Sequence, residues 1–488
     1  MPPVMDSVAL AAPLVLLAFM GIVMMVAAAV FRPMPRRAFW TATCLTVAGA
    51  LVLVAHGSGQ PTMEAFSGML RVDAFGNFFA CAALLGGLFS LLVTDSYMDR
   101  IGVRVGEIYA LILFALCGML GMVYSNDLIM LFISLEVMSI ALYALCAIKR
   151  SDDRAVEAGF KYFILGAFSS AIMLYGVAFV FGATGSTSLT TLAHFLATSN
   201  GETGTLLAIG VALLLVGFGF KVASVPFHMW APDVYQGAPT PITALMASGV
   251  KAASVAAFAR VVIGALGEDA GAWSGALWAM AAATMLVGNF GALVQNDLKR
   301  MLAYSSIAHA GYMLMALASV GAMGAEENPG IGSLPFYMLA YVFMNAGAFA
   351  VISLMTDAQG NDATDISKLA GLGRSHPWLA AGLSICLLAL AGVPPTMGFI
   401  GKFYLFSAAV GAGQVGLALV GAFGAAVGVY YYLRPMVYMY MKEGAPEIAV
   451  DGRAKLALAF SVMLLLVLGL VPSAVMAWAD VAVRSVLG

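Results

Sequence analysis

The composition of this 488-residue chain excludes an ordinary soluble protein. Hydrophobic residues make up 62% of the chain and charged residues 10%, with a formal net charge of −2. Soluble domains carry about 25% charged residues, which a water-facing surface requires. The small net charge, without a basic tail or stripe, gives no sign of a nucleic-acid partner. The composition therefore indicates an all-α membrane protein whose surroundings are the lipid bilayer.

Apolar segments follow one another along the whole chain, and a membrane crossing needs about 20 apolar residues. The first segment lacks the basic start of a cleaved signal, so we interpret it as a membrane span. We predict about fourteen transmembrane helices, near residues 8–30, 38–56, 75–95, 106–123, 127–148, 158–182, 204–225, 241–263, 272–294, 300–320, 334–356, 378–393, 412–440 and 454–478. The longest loops, about 57–74, 183–203 and 357–377, are too short for a separate soluble domain.

Two of these helices, the seventh and the twelfth, are predicted to be broken by proline. Proline lacks an N–H group, so Pro226 leaves the carbonyl of Val222 without its helical partner. In the same way, Pro394–Pro395 frees the carbonyls of Leu390 and Ala391. A break inside a membrane is tolerated only where protein or water satisfies the backbone. Both breaks therefore predict polar places within the bundle.

Basic residues alternate between successive loops, and this alternation predicts the topology. Loops rich in Lys and Arg stay in the cytoplasm. Here the loops on the opposite side carry only Arg71, with Arg484 in the tail. The basic loops contain Arg32, Arg36, Arg37, Arg100, Arg104, Lys149, Arg150, Arg154, Lys299, Arg300, Lys368, Arg374, Lys442, Arg453 and Lys455. Both termini are therefore predicted to lie on the outer side.

Four charged residues fall near the middle of predicted spans: Glu136, Lys221, Lys251 and Lys402. A charge at the bilayer centre costs about 2.5–3.5 kcal/mol on insertion scales, and such residues mark ion or proton paths. Two broken helices in separate halves, each with a lysine, indicate an internal repeat with an ion path near the midplane. The alternative is two ordinary proline kinks. A lysine partner is expected for Glu136.

Four further residues are candidates for a proton relay. Glu157 and Lys161 are spaced i, i+4 in the favourable orientation, which fits a surface ion pair or a place of proton entry. Because an unperturbed histidine titrates near neutral pH, His228 and His309 are each either a relay or a hydrogen-bonded structural histidine.

The remaining charges near spans receive structural interpretations. Arg260 and Arg434 are expected to reach from the membrane to its surface, as long basic side chains do. Asp233, between two prolines, is expected to cap a helix.

No metal or redox site is predicted in this chain. The cysteines are isolated, without a C-x-x-C pair, which argues against disulfides, zinc and iron–sulfur clusters. No glycine-rich nucleotide motif occurs, and the five histidines do not pair convincingly as haem ligands. The five cysteines are Cys44, Cys81, Cys117, Cys146 and Cys386.

Three long motifs resemble signatures of the antiporter-like subunits of respiratory complex I, the NADH:quinone oxidoreductase. They cover Gly219–Pro239, Gln295–Ile307 and Gly392–Phe403. Among those subunits the chain is most similar to the subunit N branch, because of its Leu-Glu-Val-Met-Ser run around Glu136 and the lysine at position 402. The long lateral C-terminal helix of the largest sibling is missing.

The resemblance implies two five-helix repeats of inverted topology, formed by helices 4–8 and 9–13. It divides the chain into an N-terminal part at 1–105, repeats at 106–265 and 266–442, and a last transmembrane helix at 443–488. It also implies a multi-pass protein of the bacterial inner membrane. Its expected partners are a neighbouring antiporter-like subunit and small membrane subunits.

The resemblance further implies proton translocation coupled to quinone reduction by other subunits. FMN, iron–sulfur clusters and quinone are then expected in those partner subunits. Glu136 and Lys221 form the implied pair, and the proton passes by Lys251 to Lys402. Two other functions remain open: a subunit of a multisubunit cation/proton antiporter without a quinone link, and a purely structural membrane subunit.

Overall fold

The computed structural model describes residues 4–31, 35–198, 204–267, 270–323, 332–357 and 359–487. Arg32 and residues 199–203 of the predicted loop 183–203 lie outside these ranges, as does residue 358. Within them the chain is overwhelmingly helical, as the composition predicts.

The first half of the chain holds helices α1 to α12 in sequence order. The bounds are α1 Val4–Leu10, α2 Ala12–Val30, α3 Arg36–Gly57, α4 Ala74–Arg100, α5 Glu107–Tyr124, α6 Leu128–Cys146, α7 Asp153–Thr184, α8 Leu189–Thr198, α9 Thr205–Val222, α10 Trp230–Gly237, α11 Thr240–Leu245 and α12 Lys251–Ala259. Two π-helical turns, Met246–Val250 and Arg260–Ala265, lie on either side of α12 and continue the same rod.

The second half holds helices α13 to α21. The bounds are α13 Ala270–Leu293, α14 Leu298–Met323, α15 Ser333–Ile352, α16 Leu372–Ser375, α17 Pro377–Ala391, α18 Met397–Gly411, α19 Val415–Met441, α20 Gly452–Leu470 and α21 Ser473–Leu487. A short 3₁₀ helix covers Ile366–Leu369. Two antiparallel strand pairs close loops: β1 Met63–Ala65 with β2 Leu70–Val72, and β3 Met355–Thr356 with β4 Glu447–Ile448.

Thirteen of the described helices are long and apolar enough to cross a membrane. They are α2 to α7, α9, the rod Thr240–Ala265, α13 to α15, α19 and α20. The fourteenth predicted crossing is present as two apolar half-helices of 15 residues each, α17 and α18, separated by the double proline. The fourteen predicted spans are thus confirmed, including the break in the twelfth.

The end of the chain differs from the prediction of one last helix over 454–478. The helix α20 ends at Leu470, because Pro472 cannot continue its hydrogen bonding. A separate helix, α21, then packs against α4 and the π-helical turn Arg260–Ala265. Its Ser485 accepts a bond from Arg71 through its carbonyl and one from the Phe75 N–H through its hydroxyl. An amphipathic helix tied to the loop before α4 therefore follows the last span.

The helices divide into a buried centre and a periphery. The rod Thr240–Ala265 and α15 are buried along their whole lengths, and α14 nearly so. By contrast, α2 and α20 expose most of their apolar side chains. Water would not tolerate that surface, but lipid does, because acyl chains are as apolar as the side chains. Candidate site residues on the central helices are therefore shielded by a ring of lipid-facing ones.

A repeated hydrogen-bond pattern fixes the starts of α6 and α14. In the first half, Leu128 N–H donates to the Thr187 carbonyl at 2.9 Å and the Thr187 hydroxyl donates to Asp127 at 2.5 Å. Leu189 N–H closes the pattern by donating to the Asn126 carbonyl at 3.0 Å. We call this set of bonds the start clamp of α6.

The start clamp of α14 has the same form. Leu298 N–H donates to the Thr364 carbonyl at 2.7 Å, the Thr364 hydroxyl donates to Asp297, and Ile366 N–H donates to the Asn296 carbonyl at 2.8 Å. Both clamps belong to an Asn-Asp-Leu sequence. From the start of α6 to the start of α14 the chain crosses the bundle five times. An odd number of crossings places the two clamps at opposite ends of the bundle. The two halves are therefore repeats of inverted topology, as expected from the resemblance.

Candidate functional site

Glu136 lies on α6, whose first turn is capped by Asp127 through the N–H groups of Ile129 and Met130. The Glu136 carboxylate is half-buried and accepts a hydrogen bond from the Ser170 hydroxyl of α7. The cap and the start clamp set the axial position of α6. They thereby hold Glu136 nine residues, about 13 Å, beyond the capping residue Asp127 at the start of the helix.

Lys221 lies in the last turn of α9 and is buried. Its ammonium donates to the Ser139 hydroxyl at 2.8 Å, and Ser139 is one turn from Glu136 on α6. Among the ion pairs of the described residues, none joins Glu136 directly to Lys221, although the carboxylate acts electrostatically on the ammonium. The structure thus places both members of the predicted pair near Ser139. Lys221 of α9 donates to its hydroxyl, and Glu136 lies one turn away on α6.

The break after Lys221 is formed by a residue with a left-handed backbone. Ala223 has φ 60°, and the Val225–Pro226 peptide that follows is cis. The indole of Trp230 donates to the carbonyl of Phe220 at 3.0 Å, which satisfies part of the interrupted backbone. His228 lies inside this break, half-buried, and its Nδ1 has no hydrogen-bond partner among the residues that the structure describes. The predicted break is confirmed, and one candidate relay lies in it.

Lys251 begins α12, directly after the π-helical turn Met246–Val250. Its ammonium donates to the Ser306 hydroxyl at 2.6 Å and to the Ser306 carbonyl at 2.8 Å. Ser306 on α14 stands nine residues after Asp297, as Glu136 stands nine after Asp127. Lys251 therefore joins the first repeat to the position of the second repeat that corresponds to Glu136.

His309 is buried on α14, one turn beyond Ser306. Its Nδ1 lies 2.5 Å from the Tyr337 hydroxyl and its Nε2 lies 2.9 Å from the Tyr432 hydroxyl. When Asp127 is aligned with Asp297, His309 corresponds to Ser139, the partner of Lys221. Because both ring nitrogens are bonded to hydroxyls, which donate or accept, the ring is placed to pass a proton from one side to the other.

Lys402 on α18 folds back toward the break between α17 and α18. Its ammonium donates to the Leu390 carbonyl at 2.6 Å and to the Ala391 carbonyl at 3.1 Å. These are the two carbonyls that the double proline was predicted to free. The Tyr312 ring lies 5.1 Å from the ammonium and contributes a cation–π contact. Lys402 thus replaces the helical N–H groups that proline removed.

Together these groups form a polar series inside the bundle, buried except for the half-buried Glu136, and we call this series the polar axis. From the first repeat to the second it contains Glu136, Ser139, Lys221, Lys251, Ser306, His309, Tyr312 and Lys402. The helix α14 supplies three of them on one face, at positions 306, 309 and 312. Spacing of three residues keeps side chains on the same face of a helix.

Glu157 and Lys161 lie away from the polar axis, near the start of α7. They form the predicted i, i+4 pair at 2.7 Å, and Lys161 also contacts Asp233 at 2.7 Å. Asp233 in turn pairs with Arg300 at 2.6 Å. The interpretation of Asp233 as a helix cap is wrong, because its carboxylate is occupied by these two cations. The four residues form a partly exposed ion-pair network at one end of the bundle.

The interpretation of Arg260 as a surface-reaching side chain is also wrong. Its guanidinium is buried and makes a two-pronged contact with Asp73, both distances being 2.8 Å. Its Nε also donates to the Val123 carbonyl at 3.1 Å. Arg434 instead reaches the end of α13, where it donates to the Gln295 carbonyl at 2.9 Å and to Asn296.

Removing Arg260 is expected to destabilise the protein strongly. Arg260→Ala leaves the buried Asp73 carboxylate with the longer 3.4 Å contact to Arg71 and the Gly76 N–H in place of its two-pronged partner, and breaking a buried pair costs about 3–5 kcal/mol. Arg434→Ala is the matched control and should cost about 1 kcal/mol or less, as partly exposed charge contacts do. Thermal unfolding of both variants in detergent measures the difference. Equal melting temperatures would show that the Arg260 pair contributes little.

A second buried carboxylate was not predicted from the sequence, because its partners were assigned to loops. Asp95 of α4 accepts from Arg36 at 2.7 Å, from Arg453 at 2.8 Å and from the Tyr109 hydroxyl at 3.0 Å. A single aspartate at the end of an apolar segment was the available signal. The cluster ties α3, α4 and α20 together and lies outside the polar axis.

A polar pocket of about 260 Å³ opens where the basic loops meet. Its lining includes Lys149 after α6, Lys299 at the start of α14, and Asp362 after α15. Lys299 is buried and donates to the Ala238 carbonyl at 2.5 Å. It lies seven residues, two turns, before Ser306 on α14. The loops predicted to share the cytoplasmic side do meet at one end of the bundle around this pocket, and Lys299 lies on the helix that also carries Ser306.

Comparison with known proteins gives the same family from several directions. The family model described as "NADH:quinone oxidoreductase/Mrp antiporter, TM" matches residues 125–428. NADH-quinone oxidoreductase subunit N of Trichlorobacter lovleyi is 46% identical over 441 residues, which cover 90% of this chain and 89% of the relative. The residues matched by the family model, 125–428, include every member of the polar axis.

Solved structures of large membrane complexes contain the same fold. A chain of respiratory complex I from Thermus thermophilus with bound aureothin is 36% identical, covers 95% of this chain and 98% of its own length, and has a TM-score of 0.82. A chain of the Mrp complex from Dietzia has a TM-score of 0.83 over 100% of both chains, at 21% identity, and shares the fold.

The length and identity of these matches exceed what a shared fold alone produces, and relatives named subunit N recur among them at 39% to 46% identity. The chain belongs to the NADH:quinone oxidoreductase/Mrp antiporter membrane family, and within it to the NADH-quinone oxidoreductase subunit N proteins.

Proposed function

We propose that this chain carries protons across the membrane as a subunit of a NADH:quinone oxidoreductase. The observation that carries the proposal is the polar axis, in which Lys221, Lys251 and Lys402 are all buried. In the described part of the chain, none of the three lysines forms an ion pair with a carboxylate. Ionisable groups held in this way inside a membrane are typical of proton relays.

The proposed path begins at Glu136 and Lys221 in the first repeat. While the carboxylate lies close, it favours the ammonium form of Lys221. When the two move apart, Lys221 gives up its proton, which passes by way of hydrated side chains to Lys251. Ser306 and His309 then carry it along α14 toward Lys402, and release to the outside follows. His228, in the break beside Lys221, is a second candidate relay.

The polar pocket supports a cytoplasmic entrance to this path. It lies among charged loop residues, and the face of α14 that carries Lys299 leads on to Ser306. Glu157 and Lys161 lie beside a second polar opening, lined also by Arg154 and Asp233. That opening supports a role in proton collection for the partly exposed ion-pair network.

Electron transfer is assigned to other subunits of the complex. The chain assembles with a neighbouring antiporter-like subunit and with small membrane subunits, while FMN, iron–sulfur clusters and quinone are held by partners. Its relatives are named as subunits of NADH-quinone oxidoreductase, and a structurally similar chain comes from respiratory complex I. The residue boundaries 1–105, 106–265, 266–442 and 443–488 remain a proposal that agrees with the positions of the two start clamps.

Copurification separates this function from that of a cation/proton antiporter subunit. Mild solubilisation should yield the chain in an assembly that contains flavin and iron–sulfur clusters and oxidises NADH. The isolated chain should show no flavin, haem or iron–sulfur absorbance. The proposal fails if the chain copurifies only with other transporter subunits, without flavin, or if a stoichiometric chromophore remains on the isolated chain.

Cysteine labelling tests the proposed topology in the bacterial inner membrane, with both termini outside. Thr191→Cys, in α8 after the sixth span, should react with a membrane-impermeant maleimide added from the periplasmic side. Arg150→Cys and Lys368→Cys should react only from the cytoplasmic side, because the basic loops stay there. The unaltered chain provides the background of its own five cysteines. Labelling of all three positions from one side would contradict the fourteen-span topology.

A further inference from the structure

A groove runs along the outside of the bundle between α17 and α20, away from the polar axis. It has a volume of about 620 Å³ and an almost entirely apolar lining. The face of α17 contributes residues from Trp378 to Ile385, and the face of α20 contributes residues from Leu458 to Met463. Gly382 forms its floor, since a Cβ at that position would lie 2.6 Å from the Leu458 side chain. The groove therefore results from the close packing of α17 against α20 at Gly382.

One end of the groove is polar and positively charged. Lys455, Ser375 and His376 line this mouth. Lys455 is exposed and, within the described residues, its ammonium forms no ion pair, whereas the nearby Arg374 is paired with Glu443 at 3.7 Å. The helix α17 begins at Pro377 without a side-chain cap. The positive end of its dipole therefore adds to the charge of Lys455.

The mouth lies at the level expected for lipid headgroups. Trp378 is 87% exposed in the first turn of α17, and tryptophan side chains concentrate at the boundary between headgroups and hydrocarbon. From Trp378 to Ile385 the groove extends two helical turns, about 10 Å, into the apolar layer. Its occupant must therefore combine a negative head with a narrow apolar tail.

We propose that the groove between α17 and α20 binds one anionic phospholipid. The phosphate contacts Lys455 and the start of α17, His376 donates to the headgroup, and one acyl chain lies between Ile385 and Val462. A basic pocket between membrane helices is suited to an anionic headgroup. Lys455, which forms no ion pair among the described residues, supplies the positive charge at the mouth of this otherwise apolar groove.

Photocrosslinking in the assembled complex tests this site. The complex is placed in lipid nanodiscs with phosphatidylglycerol that carries a diazirine on one acyl chain, or with phosphatidylcholine that carries the same chain. After illumination, peptides covering 378–385 and 458–463 are analysed by mass spectrometry. Phosphatidylglycerol should label both peptides about fivefold more than phosphatidylcholine, the factor that one basic residue contributes at a membrane surface.

Two variants in the groove, with one control outside it, decide whether the groove itself is responsible. Lys455→Gln should abolish the preference for phosphatidylglycerol, while Lys442→Gln, an exposed lysine outside the groove, should leave it unchanged. Ala459→Phe should fill the groove and remove labelling by both lipids. Equal labelling by the two lipids in the unaltered complex would overturn the proposal in favour of ordinary surrounding lipid. Crosslinks from these peptides to a neighbouring subunit would overturn it in favour of a protein contact.

Discussion

Lys402→Ala is expected to reduce proton pumping by the assembled complex about tenfold or more, the scale on which positioned proton carriers contribute. The variant removes the ammonium that occupies the Leu390 and Ala391 carbonyls, together with the proton that it carries. NADH-driven quinone reduction should fall as well, because it is coupled to pumping. Proton uptake by vesicles and the rate of NADH oxidation measure both effects, and a native gel establishes assembly.

Lys402→Arg separates a proton carrier from a fixed positive charge. Arginine still donates to the freed carbonyls, but its guanidinium stays protonated and cannot release a proton. It should therefore impair pumping nearly as much as alanine does. Lys442→Ala, at an exposed lysine, is the control and should leave pumping intact. Full pumping by the Arg variant would mean that Lys402 only satisfies the broken backbone.

Glu136→Gln and Lys221→Ala should each depress coupled activity strongly, and the double variant should be less than additive. Removing one partner leaves the other as an isolated charge inside the membrane, which costs about 3–5 kcal/mol when the pair is buried. Removing both avoids that cost. Residues that act as a unit show such coupling in a double-mutant cycle.

Ser139 gives this cycle an internal control. It accepts from Lys221 and lies one turn from Glu136, so Ser139→Ala removes the intermediate contact and keeps both charges. Its effect should be smaller than that of either charge variant, since a hydrogen bond to a charged group contributes about 1.5–3 kcal/mol. Quinone-reductase rates and proton uptake are measured for all variants. Strict additivity of Glu136→Gln and Lys221→Ala would show that the two residues do not communicate.

The spans and the breaks were predictable because both follow from local chemistry. Twenty apolar residues have few alternatives to a membrane helix, and a proline always frees the carbonyl four residues before it. The carbonyls of Leu390 and Ala391 were identified in this way. The residue that would occupy them was not, because the return of Lys402 to its own break depends on the turn between α17 and α18.

Local sequence patterns could not predict which charged residues pair with one another. Arg260 meets Asp73 and Asp95 meets Arg453 across long stretches of sequence. Periodicity and loop charge describe each helix alone, so they cannot tell a surface-reaching arginine from a buried one. The repeated Asn-Asp-Leu starts of α6 and α14 were a readable signal of the inverted repeat, but their meaning depends on the distant Thr187 and Thr364.

The two start clamps fix the depths of Glu136 and Ser306 relative to opposite membrane faces. Glu136 and Ser306 each lie nine residues beyond their clamp, about 13 Å along the helix axis, and half of a hydrocarbon layer is about 15 Å. Two residues at equal distances from opposite faces lie at the same depth only when that distance is close to half the thickness of the hydrocarbon layer. Transfer between the two repeats then runs parallel to the membrane plane and crosses little of the electric field. Most of the electrical work, about 2.3 kcal/mol per proton for each 100 mV, therefore falls on the entrance and exit routes.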